Sequence, residues 1–215
     1  MKLQLALDVL SLEDALALTR AAEEWVDRVE LGTPFLLEYG MEAVRRFRAE
    51  FPYKELLADT KIMDAGRLEA ESAFQAGADL VTVLAVTDLS TVRACVEAAE
   101  AWGRRVVADM ICVADLEGRA RRLKEAGVHG IAVHTGVDQQ LQGRTPLSDL
   151  SVLRRAVERA EVSAAGGIGL STLPEYCAQR PDVLIVGGAI ASAPDPAAEA
   201  RAIRQAMTRW EEKNL

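Results

Sequence analysis

Cysteine is scarce in this chain, and its pattern excludes two classes of small domain. Among 215 residues there are three cysteines, Cys95, Cys112 and Cys177, widely spaced and without a C-x-x-C pair. An odd, scattered set of this kind fits neither a disulfide framework nor a zinc site. We therefore expect the three cysteines to be small apolar residues that fill the interior.

A surplus of positive charge and a long apolar run are also lacking. The 25 basic and 33 acidic residues give a net charge of −8. Nucleic acid and anionic membrane surfaces both attract a concentrated positive surface, so neither is an expected partner. No segment approaches the roughly 18 uncharged residues of a membrane helix, and the N-terminus meets Asp8 too early for a secretion signal. The expected location is the cytoplasm.

A regular period is present along the whole length. Apolar runs start about 20 to 30 residues apart, the span of a strand, a helix and two turns. The eight runs are Leu3 to Val9, Arg28 to Leu31, Glu55 to Ala58, Leu80 to Val86, Val106 to Ile111, Gly130 to Val133, Val162 to Ala165, and Val183 to Val186. Eight such units predict a single (βα)8 barrel domain over residues 1–215.

The segments between the runs have helical patterns with recognisable ends. Val92, Cys95, Val96 and Ala99 follow an i, i+3, i+4, i+7 spacing that stops before Gly103. Leu116, Ala120 and Leu123 precede Gly127 in the same way, and Ser11 with Asp14 predicts a capping box. A doubly wound open sheet is the alternative fold, but the first turn lacks the Gly-rich fingerprint of that fold.

Ionisable residues recur where the runs end. In a barrel the carboxyl ends of all strands meet at one mouth, so these groups should converge there. They are Asp8, Glu30, Asp59, Asp109 and His134. A carboxylate at such a position can also be a simple helix cap, but five of eight strands with such groups indicate a functional site.

The segment Asp59-Thr60-Lys61-Ile62-Met63-Asp64 places a lysine between two carboxylates, D-x-K-x-x-D. Nearby carboxylates favour the ammonium form, which indicates an electrostatic or proton-donating lysine rather than a Schiff-base former. The alternative is a surface ion pair between Lys61 and Asp64, worth about 0.3–0.5 kcal/mol.

Two glycine pairs follow the last two runs, Gly166-Gly167 and Gly187-Gly188. Glycine lets the backbone approach a ligand closely, and free amides there can bind an anion. This part of a barrel is a common phosphate site, so the pairs predict phosphate binding, with two tight turns as the alternative.

The carboxylates also predict a cation site. Glu30 and Asp59, with Asp8 or Asp109 as further donors, supply the hard oxygens that suit Mg²⁺. The two histidines differ in position. His129 precedes its strand and is expected to be structural or solvent-exposed, whereas His134 ends its strand and is a candidate acid or base, or else a core histidine.

Together these motifs resemble the orotidine 5′-phosphate decarboxylase superfamily over nearly the whole chain. The resemblance is carried by Asp8, the Glu30-Leu31-Gly32-Thr33-Pro34 segment, D-x-K-x-x-D and both glycine pairs. Within it, the chain is most similar to the 3-hexulose-6-phosphate synthase and 3-keto-L-gulonate-6-phosphate decarboxylase families. The segment after the sixth run, His134-Thr135-Gly136-Val137-Asp138-Gln139-Gln140, resembles the synthases. The motif that resembles the decarboxylases at this place is H-R-S-R-D, which has an arginine at the position of Val137. Asp109 and the Gly187-Gly188-Ala189 segment, which lacks an arginine, favour the synthases too.

The resemblance implies a Mg²⁺-dependent aldol addition of formaldehyde to D-ribulose 5-phosphate through an enediolate, giving D-arabino-3-hexulose 6-phosphate reversibly. It implies Mg²⁺ on Glu30 and Asp59, Lys61 beside the enediolate, and His134 as the proton shuttle, with either His134 or a carboxylate as the base. Asp8, Asp64 and Asp109 would orient Lys61, the substrate hydroxyls and the metal's water. It also implies a homodimer in which Asp64 reaches the partner's site.

Three other functions stay open at this point. One is the decarboxylase activity itself. Another is a pentulose-phosphate isomerase or epimerase, although Lys61 between acids fits its paired-acid chemistry poorly. The last is a barrel kept as a binding subunit, since fold alone does not guarantee activity.

Overall fold

The computed structural model describes residues 1–157 and 160–214, in which strands and helices alternate along the chain. The strands are β1 Lys2–Leu7, β2 Arg28–Leu31, β3 Glu55–Ile62, β4 Leu80–Leu84, β5 Arg105–Asp109, β6 Gly130–His134, β7 Glu161–Ala165 and β8 Val183–Val186. The helices are α1 Leu12–Ala22, α2 Thr33–Glu50, α3 Gly66–Ala76, α4 Leu89–Trp102, α5 Leu116–Glu125, α6 Val137–Gln140, α7 Leu147–Ala156, α8 Leu173–Ala178, α9 Gly188–Ala191 and α10 Pro196–Asn214.

The eight strands form one closed parallel barrel in chain order. Each strand pairs with the next, and β8 pairs with β1 to complete the ring. The predicted (βα)8 barrel is therefore confirmed, and the open-sheet alternative is wrong. Closure removes both sheet edges and brings the carboxyl ends of all strands to one mouth.

The strand side chains divide between two interiors. Most of the buried apolar residues, such as Val29, Phe47 and Val81, pack between the strands and the surrounding helices. A second cluster of Leu57, Leu80, Val107 and Ala132 is separate from this core. The pairing of Leu57 with Glu30 puts it on the other side of the sheet from Val29. This second cluster therefore fills the lumen of the barrel, with polar residues above and below it.

Several predicted strand ends were wrong, because an apolar residue can belong either to a strand or to the turn that follows it. β1 ends at Leu7, and Val9 is 89% exposed. β4 ends at Leu84, and Val86 beyond it is exposed. β3 instead continues to Ile62, so Asp59 and Lys61 lie on the strand and not after it.

The helix boundaries agree with the sequence patterns, but the capping box of α1 is incomplete and α2 is broken. Gly103 caps α4 in the left-handed conformation, as its position predicts. Ser11 caps α1 by accepting a hydrogen bond from the Asp14 amide. The return bond of a full capping box is absent in this described segment, because Ser11 donates to the Asp14 carboxylate instead. Helix α2 is broken at Gly40, where φ is 58°.

The cysteine prediction holds for two positions and fails for the third. Cys95 and Cys177 are buried, whereas Cys112 is exposed, in the turn after β5. His129 was predicted to be structural or solvent-exposed, and both descriptions apply: the residue is exposed, and its Nδ1 accepts a hydrogen bond from the Val106 amide at 3.2 Å. In the described part of the chain, no helix is both long and apolar enough to cross a membrane.

Candidate active site

A chain of polar contacts crosses the mouth of the barrel from β6 to β3. His134 Nδ1 lies 2.9 Å from Asp109 Oδ2, and the same oxygen lies 3.0 Å from Lys61 Nζ. Lys61 Nζ also donates to Asp59 Oδ2 at 2.6 Å. Four of the residues predicted from the sequence are thus joined in one network, although they come from three different strands.

The lysine does lie between two carboxylates, but the second of them is not the predicted one. Asp109 takes the position that the D-x-K-x-x-D spacing assigned to Asp64. Asp64 is exposed and accepts a hydrogen bond from the Ala65 amide at 2.7 Å. The reason is the extension of β3, since Lys61 points into the mouth from the strand while Asp64 lies in the turn beyond it.

An irregularity in β3 aims Lys61 into the site. Between the pairs Ala58–Val81 and Ile62–Val83, β3 advances four residues while β4 advances two. Lys61 itself has a φ of 46°, an unfavourable value for a residue with a Cβ. Its amide donates to Thr82 Oγ1 at 2.9 Å, which holds the strained backbone in place. Such strain costs about 1–3 kcal/mol and is typical of functional sites.

The network fixes the charges of Lys61 and Asp109. Burial disfavours the ammonium, but Asp59 and Asp109 together raise the pKa of Lys61 above its usual value. Burial also favours neutral Asp109, yet the hydrogen bond with His134 and the charge of Lys61 lower the pKa of Asp109 to about 2. At neutral pH the lysine is therefore a cation and Asp109 an anion, as the sequence predicts for Lys61.

Asp59 is held by two threonines that the sequence reading did not single out. Thr33 Oγ1 donates to Asp59 Oδ2 at 2.8 Å, and Thr82 Oγ1 donates to Asp59 Oδ1 at 2.7 Å. Asp59 as a residue is 5% exposed. Thr33 could have been identified from the sequence, because it belongs to the Glu30 to Pro34 segment that carries the family resemblance. Thr82 lies inside an apolar strand, where nothing in the sequence marks it as functional.

Glu30 and Asp8 add further carboxylates beside Asp59. Burial and the charge of Asp59 raise the pKa of Glu30 from 4.5 to about 8. The same two causes, burial first, raise the pKa of Asp8. The carboxylates thus repel one another, and a divalent cation between them would relieve that repulsion.

This donor set fits Mg²⁺ better than a metal held by protein alone. Within residues 1–157 and 160–214, no group of three or more His, Cys, Asp or Glu side chains is arranged as a metal site. Mg²⁺ usually takes one or two carboxylates and completes its shell with water and substrate oxygens. Glu30 and Asp59 can provide such a pair.

The two glycine pairs differ in their surroundings. Gly166 and Gly167 have φ of 122° and 66°, which favour glycine, and a Cβ on Gly166 would lie 2.7 Å from the Thr135 carbonyl oxygen. A Cβ on Gly188 would meet nothing within 4 Å, and one on Gly187 would lie 3.5 Å from Asp8. The first pair is required by the fold itself, while the space above Gly188 is open to a ligand.

A cavity of about 530 Å³ opens beside His134. Its lining includes Cys112, Thr135, Gln139 and Arg144, the last three from the segment after β6. Arg144 was missed in the sequence because it lies ten residues beyond the strand end. An exposed arginine at this cavity adds a cation to a mouth dominated by carboxylates.

The chain matches the family model described as orotidine 5′-phosphate decarboxylase / HUMPS family over residues 1–203. The chain belongs to this family. A 3-hexulose-6-phosphate synthase from Bacillus subtilis is 43% identical to this chain, over 97% of this chain and 100% of its own length. One from Staphylococcus haemolyticus is 42% identical over 96% of this chain and 99% of its own.

Solved structures of the family agree with these relatives. A 3-hexulose-6-phosphate synthase from Salmonella typhimurium superposes with a TM-score of 0.95 at 48% identity, covering 98% of this chain and 100% of its own. KGPDC from Streptococcus mutans gives a TM-score of 0.90 at 29% identity, covering 97% of both chains. The resemblance stated from the motifs is confirmed, and the chain is an enzyme of the lyase type.

Proposed function

We propose that this enzyme condenses formaldehyde with D-ribulose 5-phosphate to give D-arabino-3-hexulose 6-phosphate, reversibly and with Mg²⁺. The observation that carries the proposal is the end of β6. His134 contacts Asp109 there, and exposed Val137 occupies the position at which the resemblance places an arginine in the decarboxylases. The names of the relatives at 42–48% identity support the same reaction.

His134 moves the proton in this proposal. Its Nδ1 contacts Asp109, and the residue lines the cavity. A base at this position, His134 or a carboxylate, removes the C1 proton of the ketose phosphate, and the resulting enediolate attacks the carbon of formaldehyde. One C–C bond forms, and the proton returns to the new alkoxide oxygen through His134.

Lys61 stabilises the negative charge that develops on the substrate. Its ammonium is already oriented by Asp59 and Asp109, so little reorganisation is needed when the enediolate forms. A Mg²⁺ ion held by Glu30 and Asp59 would act as a Lewis acid toward the same oxygens. We assign Asp8 and Asp109 to the orientation of Lys61 and the substrate hydroxyls.

The substrate phosphate is assigned to the two glycine pairs. Gly166 and Gly167 turn the chain sharply after β7, and the open space above Gly188 leaves room for an anion near backbone amides. Amides carry no net charge, which explains how a protein of net charge −8 can bind a phosphate ester. Arg144 supplies a cation at the adjoining cavity.

We infer that the active enzyme is a homodimer with shared sites. Asp64 is exposed and has no contact with the Lys61 network among the described residues. Exposed apolar side chains lie on this part of the chain and on the preceding helix: Leu37 on α2, Met63 before α3 and Leu68 on α3. A second copy covering this face would bury these side chains, and Asp64 would then approach the active site of that second copy.

One assay separates the proposed reaction from the decarboxylase alternative. We expect the protein to consume formaldehyde when given ribulose 5-phosphate and Mg²⁺, and to lose this activity with EDTA until Mg²⁺ is restored. Release of CO₂ from 3-keto-L-gulonate 6-phosphate without consumption of formaldehyde would assign the chain to the decarboxylases. Full activity in EDTA would refute the metal assignment.

A further inference from the structure

An arginine is buried inside the barrel, below the layer of Leu57, Leu80, Val107 and Ala132. Arg28 is 1% exposed. Its Nη1 and Nη2 each donate to Glu161 Oε1 at 3.0 Å, and its Nε donates to Glu55. A buried ion network of this kind is on average no more stabilising than apolar packing of the same volume. Stability alone therefore does not explain its presence.

One further contact of Arg28 leads toward the active site. Its Nη1 donates to Gln4 Oε1 at 3.0 Å, and Gln4 is fully buried. A guanidinium has only donors, so it determines which end of the amide faces it. The other end, Gln4 Nε2, then points to Glu30 and donates to its Oε2.

The geometry of the sheet fixes this arrangement. Gln4 pairs with Arg28, and Ala6 pairs with Glu30, so Gln4 lies diagonally below Glu30 on the lumen side. In the described chain, Gln4 is the only hydrogen-bond donor to the Glu30 side chain. A flipped amide would set its NH₂ against Arg28 and its oxygen against the carboxylate, so both contacts oppose that state.

We propose that Gln4 is a positioning residue for Glu30 and that Arg28 holds Gln4 in the required orientation. The inference rests on the proposed function, in which Glu30 binds the metal. Gln4 occupies one carboxylate oxygen and leaves the other, Oε1, to face the ligand. Loss of such an outer contact to a metal-binding side chain typically costs about 10–100-fold in metal affinity.

Two substitutions at Gln4 test the proposal with Mn²⁺ as a spectroscopic probe for Mg²⁺. Gln4→Met keeps the length of the side chain but removes the donor, and we expect Mn²⁺ binding, followed by electron paramagnetic resonance, to weaken at least about tenfold. Gln4→Leu also removes the donor, with a shorter and branched apolar side chain, so Mn²⁺ binding should weaken to a similar degree. This second variant keeps the test valid if Gln4→Met folds poorly.

Arg48→Met is the matched control. Arg48 also makes several hydrogen bonds at the amino end of the barrel, including one to Asp79, but it has no contact with Gln4 among the described residues. We expect it to lower the midpoint of denaturation and leave Mn²⁺ affinity unchanged. Equal Mn²⁺ affinity in Gln4→Met and wild type would overturn the role given to Gln4 but not the metal assignment. Absence of Mn²⁺ binding in the wild type would overturn the metal assignment and the inference together.

Discussion

At the scale of single residues, the behaviour of Lys61 is set by two neighbours. Asp59 and Asp109 each contact its Nζ within 3.0 Å and raise its pKa, so the amine is not available as a nucleophile. The residue is therefore suited to charge stabilisation. The strained backbone at its Cα indicates that the fold retains this orientation at a cost in stability.

Lys61→Ala should abolish most of the activity without unfolding the protein. Removal of one preorganised charge from such a site typically lowers kcat by about 10²–10³-fold. Formaldehyde consumption and thermal unfolding measure the two effects. Lys54→Ala is the matched control, since Lys54 binds the Glu23 and Val26 carbonyls at the other end of the barrel and should stay active. An active Lys61→Ala variant would contradict the role assigned to the ammonium.

Glu30 should make the stability of the metal-free protein depend on pH. Its pKa of about 8 exceeds the usual 4.5, so between these values the folded state binds more protons than the unfolded state. The free energy of unfolding should then fall as the pH rises from about 5 to about 8, by on the order of 2 kcal/mol after allowance for partial exposure.

Glu30→Gln should remove that slope, because the amide does not titrate in this range. Urea denaturation at a series of pH values, in EDTA, measures it for both proteins. Added Mg²⁺ should restore the stability of the wild type at pH 8 and have less effect on the variant. The same slope in both proteins would show that the carboxylate repulsion at Glu30 is absent.

At the scale of elements, the turns after β7 and β8 have different physical requirements. The left-handed backbone at Gly166 and its closeness to Thr135 mean that a side chain there must distort the turn. Gly188 has neither constraint. The two glycine pairs look alike in the sequence, and their local geometry separates them.

Gly188→Ala should therefore change function without changing stability. We expect an unchanged melting temperature and a KM for ribulose 5-phosphate raised about tenfold, because the added methyl group occupies the space assigned to the phosphate. Gly166→Ala should lower the melting temperature as well, since its backbone strain alone costs about 1 kcal/mol or more. An unaltered KM in a stable Gly188→Ala variant would place the phosphate elsewhere.

The sequence predicted the elements of the site better than their contacts. Runs of Val, Ile and Leu at a regular period were enough for the barrel, and the strand ends identified Asp59, Asp109 and His134. The partner of Lys61 depended on two extra residues in β3, which no spacing rule reveals. Gln4 and Arg28 lie at the starts of strands, where barrel residues ordinarily serve stability, so nothing in their pattern distinguished them.

At the scale of the whole molecule, the barrel closes within one chain, whereas the proposed shared site would need a second copy. Asp64 and the exposed Leu37, Met63 and Leu68 belong to α2, α3 and the turn before α3. A surface of this kind is typical of a protein interface. Symmetry would give each dimer two sites, each completed by the partner's Asp64.

Mixed dimers test the shared site. Lys61→Ala and Asp64→Ala should each be inactive alone, but a dimer of one copy of each has one site with both changes and one intact site. After subunit exchange, an equal mixture should regain about a quarter of wild-type activity, because half of the dimers are mixed and each has one working site. No recovery in a mixture shown to exchange subunits would place Asp64 in its own chain's site.

The most direct measurement of the proposed function is ¹³C nuclear magnetic resonance with labelled formaldehyde, ribulose 5-phosphate and Mg²⁺. We predict that the label moves into a carbon of a new hexulose phosphate, bonded to the former C1 of the pentulose. Lys61→Ala should leave the label in formaldehyde. If the wild-type protein also leaves the label in formaldehyde, under conditions in which it binds ribulose 5-phosphate, the proposed aldol addition is wrong.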